Sequence, residues 1–535
     1  MLHKGLLKFF VFGIIISFLY SCAPKKINAT TGLVSSGNEV IYHVFQRSFY
    51  DSNGDMIGDL NGLHQKLDYL QGLGVTSILL LPISQSVYYH NYFSSDFSKI
   101  DSTFGNMDDY ISLVKEIHRR GMKVYMDMET QYVTEDHPWD KSALNNLQSP
   151  YSDYILFKDA AHAIPETIVF NATGLKGYNG IYRKIATVNL KSKKVLDYNI
   201  DLFKYWIDPN GDGKFDDGVD GFRFDHMMDN LDQKPQLMGL FKTFWVPLIA
   251  ALKKVNPALS NVAEQADWNS WGDEYVTKGD VDRVFAFKLE DAIRSFKKNY
   301  LSLMADSAFH ILPKGKQQVV FIENHDMSRF SYSVENSLPK LKIGAALNLL
   351  LGGVPSIYYG QEIGMYGSGD GKNWGITDGD KIPDREAFEW YKWDTGKGMA
   401  TWYKNTGVWW DSTNLKPGDG ISLEEELPDP NSIFNFYKKM IRIRKSNPVI
   451  STGTYENLTN TNDYVFTFQR HNGNKAIIVA INLSQMVQGV AITYNTFNLE
   501  TKRLVQLNGN EYPGIDKNKL FVQLPPYGIE VWQVN

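Results

Sequence analysis

The chain of 535 residues carries 55 Lys and Arg against 60 Asp and Glu, a formal charge of −5. Its length allows about two to four domains with ample interior for a core. Hydrophobic residues at 43% and charged residues at 21% exclude wholesale disorder. The absence of a basic excess argues against nucleic acid as a partner.

A single cysteine excludes an internal disulfide and a thiolate zinc cluster. Lys4 and Lys8 precede an apolar run from Phe9 to Tyr20, too short to span a bilayer and read as the h-region of a signal peptide. Leu19-Tyr20-Ser21-Cys22 follows, and resembles a bacterial lipoprotein cleavage site. The expectation is a signal peptide over 1–21 and lipidation at Cys22, with more than one acyl chain holding the protein to a membrane. Ordinary secretion with an incidental cysteine is the alternative. Residues 22–38 are rich in Lys, Thr, Ser, Asn and Gly and read as a flexible tether.

From Glu39 onward short β-rich runs alternate with amphipathic stretches, the pattern of βα units around a parallel sheet. Val40 to Phe45 reads as the first strand. Leu60, Leu63, Leu67, Leu70 and Leu73 predict one helix, ending at Gly72 and Gly74. Ser77 to Leu81 is the second strand, Tyr110 to Arg120 a helix closed by Gly121, and Lys123 to Asp127 the third strand. The long stretch from Glu129 to Asp220 predicts an inserted subdomain at about 130–191, followed by a helix around Val195 to Trp206. Further strands are expected at Gly221–Asp225, Ser260–Glu264, Arg283–Phe287, Val319–Glu323 and Val354–Tyr358. Eight strands make a closed (β/α)8 TIM barrel over 39–450. Beyond Ile450 short alternating runs such as Tyr464 to Phe468 and Ala476 to Ile481 predict a C-terminal antiparallel β-sandwich domain over 451–535.

In such a barrel, polar residues at the C-terminal ends of strands are the candidates for chemistry. Arg223 and Asp225 share one strand face, so the arginine can hold the carboxylate ionised. Glu264 ends the fifth strand, and Glu323-Asn324-His325-Asp326 leaves the seventh. Two carboxyl groups on adjacent strands, with a third acid nearby, suit glycoside hydrolysis; retaining enzymes hold the pair about 5–5.5 Å apart. Aromatic residues at 13%, with 12 Trp and 30 Tyr, suit stacking on sugar rings as well as core packing.

Taken with Ile41-Tyr42-His43-Val44-Phe45-Gln46-Arg47-Ser48-Phe49, Gly221 to Asp225, Val262-Ala263-Glu264, Asn324-His325-Asp326 and Gly353 to Glu362, the chain resembles the α-amylase superfamily over nearly all its length after the tether. The resemblance implies Asp225 as nucleophile, Glu264 as general acid/base and Asp326 as the acid that grips the sugar. It implies Arg223 as the orienting partner of Asp225, His325 as a hydrogen-bond donor to the sugar, and Tyr92 as a stacking platform; a rim aromatic packed on the barrel is the alternative for Tyr92. The substrate it implies is an α-glucan or malto-oligosaccharide, with no organic cofactor.

The sequence departs from that family at its third strand, where Asp-x-x-x-Asn-His becomes Asp127-Met128-Glu129-Thr130-Gln131-Tyr132. Tyr132 stands where a histidine would bind substrate, and Asp229 where relatives carry His or Lys. Two acidic loops offer oxygens spaced as in calcium loops: Asp51, Asn53, Asp55, Ile57 and Asp59, and Asp208, Asn210, Asp212, Lys214 and Asp216. Met56 replaces the sharp-turn glycine in the first, whereas Gly213 keeps it in the second. Structural Ca2+ is therefore expected, with empty turns as the alternative. The combined expectation is a retaining α-glucan hydrolase, lipid-anchored at a bacterial cell envelope on the periplasmic face or outer-membrane surface. A transferase or isomerase of the same family and a non-catalytic glucan-binding protein are its rivals.

Overall fold

A computed structural model describes residues 38–368, 377–406, 418–473, 475–496 and 498–535. The expected signal peptide, Cys22 and nearly all of the tether lie outside the described residues. Among the described residues no helix is long and apolar enough to cross a membrane.

Eight parallel strands close a barrel: β1 (Ile41–Val44), β2 (Ser77–Leu80), β3 (Lys123–Met128), β4 (Gly221–Met227), β5 (Val262–Gln265), β6 (Arg283–Phe285), β7 (Gln317–Val320) and β8 (Val354–Tyr358). Each pairs with its neighbours in chain order, and β8 closes the ring on β1 with Ile41 opposite Ser356. Successive side chains alternate between the barrel interior and the outer helices. Ile41, Leu79, Tyr125, Phe285, Val319 and Val354 pack together inside, while Tyr42, Ile78, Val124, Phe222 and Phe224 join the large cluster outside. At the end of the barrel where the strands begin, the buried Glu39 carboxylate is paired with Arg283 at 2.6 Å and accepts hydrogen bonds from Ser77 and Tyr125. Catalytic chemistry belongs at the opposite end, where the strands finish.

The helix between β1 and β2 is divided. Leu60–Gln65 and Leu67–Leu73 meet at Lys66, whose φ of −99° and ψ of 6° leave the helical region. Leu63, Leu67 and Leu70 nevertheless all face the core, so the apolar spacing is kept across the break. Gly74 (φ 107°) ends the second segment, and Gly121 (φ 73°) follows the helix Met107–Arg119, as helix-terminating glycines do. The helix after the insertion runs Lys193–Ile207 and buries Val195, Leu202, Phe203 and Trp206.

The insertion differs from its expected source. Its sheet runs Ser84–Ser86, Ser94–Ile100, Tyr132–Thr134, Tyr182–Thr187, Gly174–Lys176, so two strands come from the β2–β3 connection rather than from residues after β3. The polar 84–100 segment lacks the apolar alternation that marks a strand; its two strands pair with each other, and Ser94 joins them to Val133 of Tyr132–Thr134.

The C-terminal region has a five-stranded antiparallel sheet in the order Thr454–Asn457, Val465–Asn472, Lys475–Asn482, Ile529–Val534, Leu504–Asn508, and a three-stranded sheet Gln488–Thr493, Lys519–Leu524, Gly514–Asp516. Val465, Ile478 and Trp532 of one sheet pack against Ile492, Leu520 and Leu524 of the other, which makes a sandwich.

Candidate active site

The site grows from the ends of β3, β4 and β5. Arg223 and Asp225 point inward from β4, and Asp127 points inward from the end of β3, with Arg223 opposite it in register. Arg223 is buried, and its guanidinium joins three acids: Nη1 lies 2.5 Å from Asp127 Oδ2 and 2.7 Å from Asp225 Oδ1, and Nη2 lies 3.1 Å from Glu264 Oε2. One fixed cation thus sets the mutual placement of the carboxyl groups on adjacent strands.

A β-bulge lies between β4 and β5. Phe224 pairs with Ala263 and Met227 with Gln265, so Asp225 and His226 together face the single residue Glu264. His226 takes up the extra length at φ 43°, and its backbone N–H donates to Glu264 Oε2 at 3.0 Å. Left-handed backbone in a residue with a bulky side chain stores strain, which fits a bulge that aims neighbouring side chains. Gln131 braces the same turn by donating from Nε2 to the carbonyl of Asp225 at 2.5 Å.

Asp326 sits on the loop after β7, which ends at Val320 rather than at the expected Glu323. It is held by Arg385 (Nη2 to Oδ1, 3.1 Å) and His325 (Nε2 to Oδ2, 3.0 Å). Tyr92 joins the clusters: its hydroxyl lies 2.7 Å from Asp127 Oδ2 and 2.7 Å from His325 Nε2, and its ring stacks on that of His325 at 5.4 Å. It lines the pocket while packed against His325.

Burial pushes Asp225 up to about 6 despite the opposing Arg223 charge, so the arginine lessens the rise rather than keeping the group in the ordinary range. Burial, with repulsion from Asp225 and Asp326, pushes Glu264 further, to about 7, again against Arg223. Asp326 behaves oppositely: burial would raise it, but His325 and Arg385 outweigh that and hold it well below the carboxylate range. Two neighbouring carboxyl groups therefore differ in proton affinity, and the group on β5 holds its proton more tightly.

These residues line a cavity of about 430 Å3 that includes Tyr92, Asp225, Glu264 and Asp326. Phe170 from the insertion and Trp268 from the loop after β5 also line it; Phe170 is 94% exposed, and Trp268 lies flat on Phe287 at 4.8 Å. Tyr132 lines the same cavity, but its hydroxyl donates to Asp232 Oδ2 at 2.7 Å. Asp232 also binds His226 Nε2 at 3.0 Å and Lys234 Nζ at 2.8 Å. Asp229 faces elsewhere, accepting the backbone N–H of Phe241 at 2.7 Å. Sequence reasoning missed His226, Asp232 and Arg385. The first two depend on a bulge and a left-handed turn, and Arg385 lies on an irregular segment; none carries a periodic signal.

Neither acidic loop joins this site. In the first, Asp51 accepts from the N–H groups of Asn53, Gly54 and Met56, and Asn53 and Asp55 accept from those of Asp55 and Ile57. Asp59 accepts from Ser52 and from Gly62 as a helix cap. Met56 adopts φ 69° where the sharp turn was expected. In the second, Asp208 accepts from Asp212 and Gly213, Asn210 from Asp212, and Asp212 from both the backbone N–H and the ammonium of Lys214. Asp217, next to Asp216, is buried with both carboxyl oxygens unpaired among the described residues. No three His, Cys, Asp or Glu side chains converge as metal ligands do among those residues.

Comparison with known proteins agrees with this geometry. Residues 43–453 match the family model described as the catalytic domain of α-amylase. The chain is 29% identical to α-amylase 3 of Dictyoglomus thermophilum, covering 93% of each, and 27% identical to an oligo-1,6-glucosidase of Parageobacillus thermoglucosidasius, covering 83% of this chain and 90% of that one. Among solved structures it superposes on the α-amylase from H. orenii with a TM-score of 0.77 at 28% identity, covering 94% of this chain and all of the other. An eight-stranded barrel, acids gathered at its strand ends and a match spanning most of the length lead to one conclusion: the chain belongs to the α-amylase family of glycoside hydrolases and transglycosylases.

Proposed function

We propose that the protein is a retaining hydrolase of α-glucosidic bonds in starch-type glucans or malto-oligosaccharides. The observation that carries this reading is the single Arg223 guanidinium touching both Asp225 and Glu264, two carboxyls whose burial favours the protonated form. In the first step Asp225 attacks the anomeric carbon while Glu264 gives its proton to the departing glycosidic oxygen. The C–O bond to the leaving group breaks as the C–O bond to Asp225 forms. Glu264, now ionised, takes a proton from water, and the water oxygen displaces Asp225 with net retention. Asp326 stays anionic and accepts hydrogen bonds from sugar hydroxyls, which favours the positively charged transition state. Phe170 and Trp268 at the rim offer flat faces to neighbouring sugar residues, which supports an oligomeric substrate.

Transfer to a sugar hydroxyl would use the same covalent intermediate and differs only in the second acceptor. A binding protein without activity is disfavoured because all three acids are present and held by cations. We further propose lipidation at Cys22 with anchoring at the cell envelope, and structural Ca2+ at the loop Asp208–Asp217. In both loops the side-chain oxygens accept N–H donors of the loop itself; what favours the second is Asp217 beside it, buried with both carboxyl oxygens unpaired among the described residues.

Product analysis on starch, pullulan, cyclodextrins, maltose, isomaltose and sucrose tests the function. Release of sugars of retained configuration, lost in Asp225→Asn, is the expected result. A well-folded wild type that turns over none of them contradicts it.

A further inference from the structure

A second groove lies beside the catalytic cavity. Its volume is about 750 Å3 against about 430 Å3 for the cavity, and Trp268 lines both. The other walls come from the helices Phe287–Ser295 and Lys298–His310 and from the segment Met327–Ser333, which follows directly on Asp326.

Its lining suits a sugar chain. Trp268 is 40% exposed and lies nearly parallel to Phe287, which fixes the indole while leaving it accessible. Tyr332 is 44% exposed and packs at 5.3 Å on Tyr366, and Met304 adds apolar surface. Aromatic rings held open to water in one groove are a mark of a ligand surface, and their faces match the apolar face of a pyranose. Sugar hydroxyls also need polar partners. Asp291 is exposed, with one carboxylate oxygen accepting the Tyr300 hydroxyl at 2.7 Å and the other without a protein donor among the described residues. Asn269 is exposed, and its side-chain amide makes no hydrogen bond among those residues. The charges balance: Lys288 and Arg294 stand against Glu290 and Asp291, with Arg294 paired to Glu290. A groove of that balance favours a neutral chain over a charged partner. The occupant follows from continuity, because a chain leaving the catalytic cavity past Trp268 enters this groove. Resting on the retaining α-glycosidase reading, we propose that an α-glucan bound at the carboxyl groups continues across Trp268 into the groove, so that the enzyme selects long chains over di- and trisaccharides.

The test reads kcat/KM against chain length. Wild type, Tyr332→Ala, Tyr332→Phe and Asp291→Ala are assayed on maltotriose and maltoheptaose, with melting temperature as the check on folding. Wild type should favour maltoheptaose by roughly tenfold or more. Tyr332→Ala should lose about three- to tenfold on maltoheptaose while staying within about twofold of wild type on maltotriose, and Tyr332→Phe, which keeps the ring, should retain the length preference. Asp291→Ala should lose in the same direction, and as an exposed change it still supports the proposal if Tyr332→Ala fails to fold. Equal kcat/KM for the two substrates in an active wild type overturns the proposal alone. So does a length preference untouched in every folded variant, or a loss of equal size on both substrates. A wild type that neither binds nor cleaves either one overturns it together with the functional reading.

Discussion

The proton affinities of Asp225 and Glu264 make the pH profile a sharp test. Catalysis needs Asp225 ionised and Glu264 protonated. With the pair at about 6 and about 7, kcat/KM should rise as pH climbs through 6 and fall as it passes 7. The productive form should peak between about pH 6 and pH 7 and fall steeply by pH 8.5. The assay is initial rate against pH on malto-oligosaccharide at concentrations below KM, where the free enzyme's groups are read. Glu264→Gln should be slow on that substrate but should keep measurable turnover of an aryl glycoside with a good leaving group, and its alkaline limb should vanish. An alkaline limb that survives in Glu264→Gln, or a wild-type rate that is flat to pH 9, would refute the assignment of Glu264 as the acid.

Other outcomes follow from the same contacts. Arg223→Met leaves Asp127, Asp225 and Glu264 without their common cation, and breaking such a buried pairing costs about 3–5 kcal/mol, to be read as a lower denaturant midpoint together with lost activity. Tyr132→Phe removes the hydrogen bond to Asp232 and should cost about 0.5–1.5 kcal/mol while leaving turnover within about tenfold of wild type, as measured by urea unfolding and kcat/KM. Buried carboxyls are raised in the folded chain, with Asp127 and Asp225 at about 6, Glu264, Glu362 and Asp378 at about 7 and Glu426 at about 8. The folded state binds more protons than the unfolded chain between about pH 4 and 8, so stability falls as pH rises through that window. Glu39 and Asp232, held at about 2, add the opposite slope at lower pH, and buried His43, His90, His137 and His325, held below the ordinary histidine range, add it up to about pH 6.5. The more numerous raised carboxyls prevail, so melting temperature should be higher at about pH 6.5 than at about pH 8. Chelation should lower the melting temperature by removing linked ion binding at Asp208–Asp217, and elemental analysis should find calcium; an unchanged melt with no ion would leave that loop an ordinary turn.

Much of the barrel was legible because its strands are short apolar runs followed by polar residues, and because helix-terminating glycines such as Gly74 and Gly121 mark the boundaries. The predicted strand at Val354–Tyr358 coincides with β8, and β2 and β3 differ from expectation by one residue. Arg223 and Asp225 were readable as neighbours from the two-residue period of a strand. What the sequence hid is set by tertiary context. No local pattern marks the bulge that sets two residues of β4 against Glu264, or the recruitment of Ser84–Ile100 into the inserted sheet. The contact between Arg385 and Asp326 joins segments 59 residues apart, which periodicity cannot register. Tyr132 illustrates the same limit: its place at the cavity with Asp225 followed from the motif, but its bond to Asp232 depends on a turn with Asp232 at φ 49°.

The central claim is covalent catalysis by Asp225, and trapping the intermediate tests it most directly. Wild-type protein treated with a 5-fluoro-α-glycosyl fluoride, whose electron-poor sugar slows breakdown of the glycosyl–enzyme, is analysed by intact mass and peptide mapping. The account predicts a single added sugar, carried on the peptide containing Asp225 and absent from Asp225→Asn. Steady turnover with no adduct in wild type, or an adduct mapped to a different carboxylate, would contradict it.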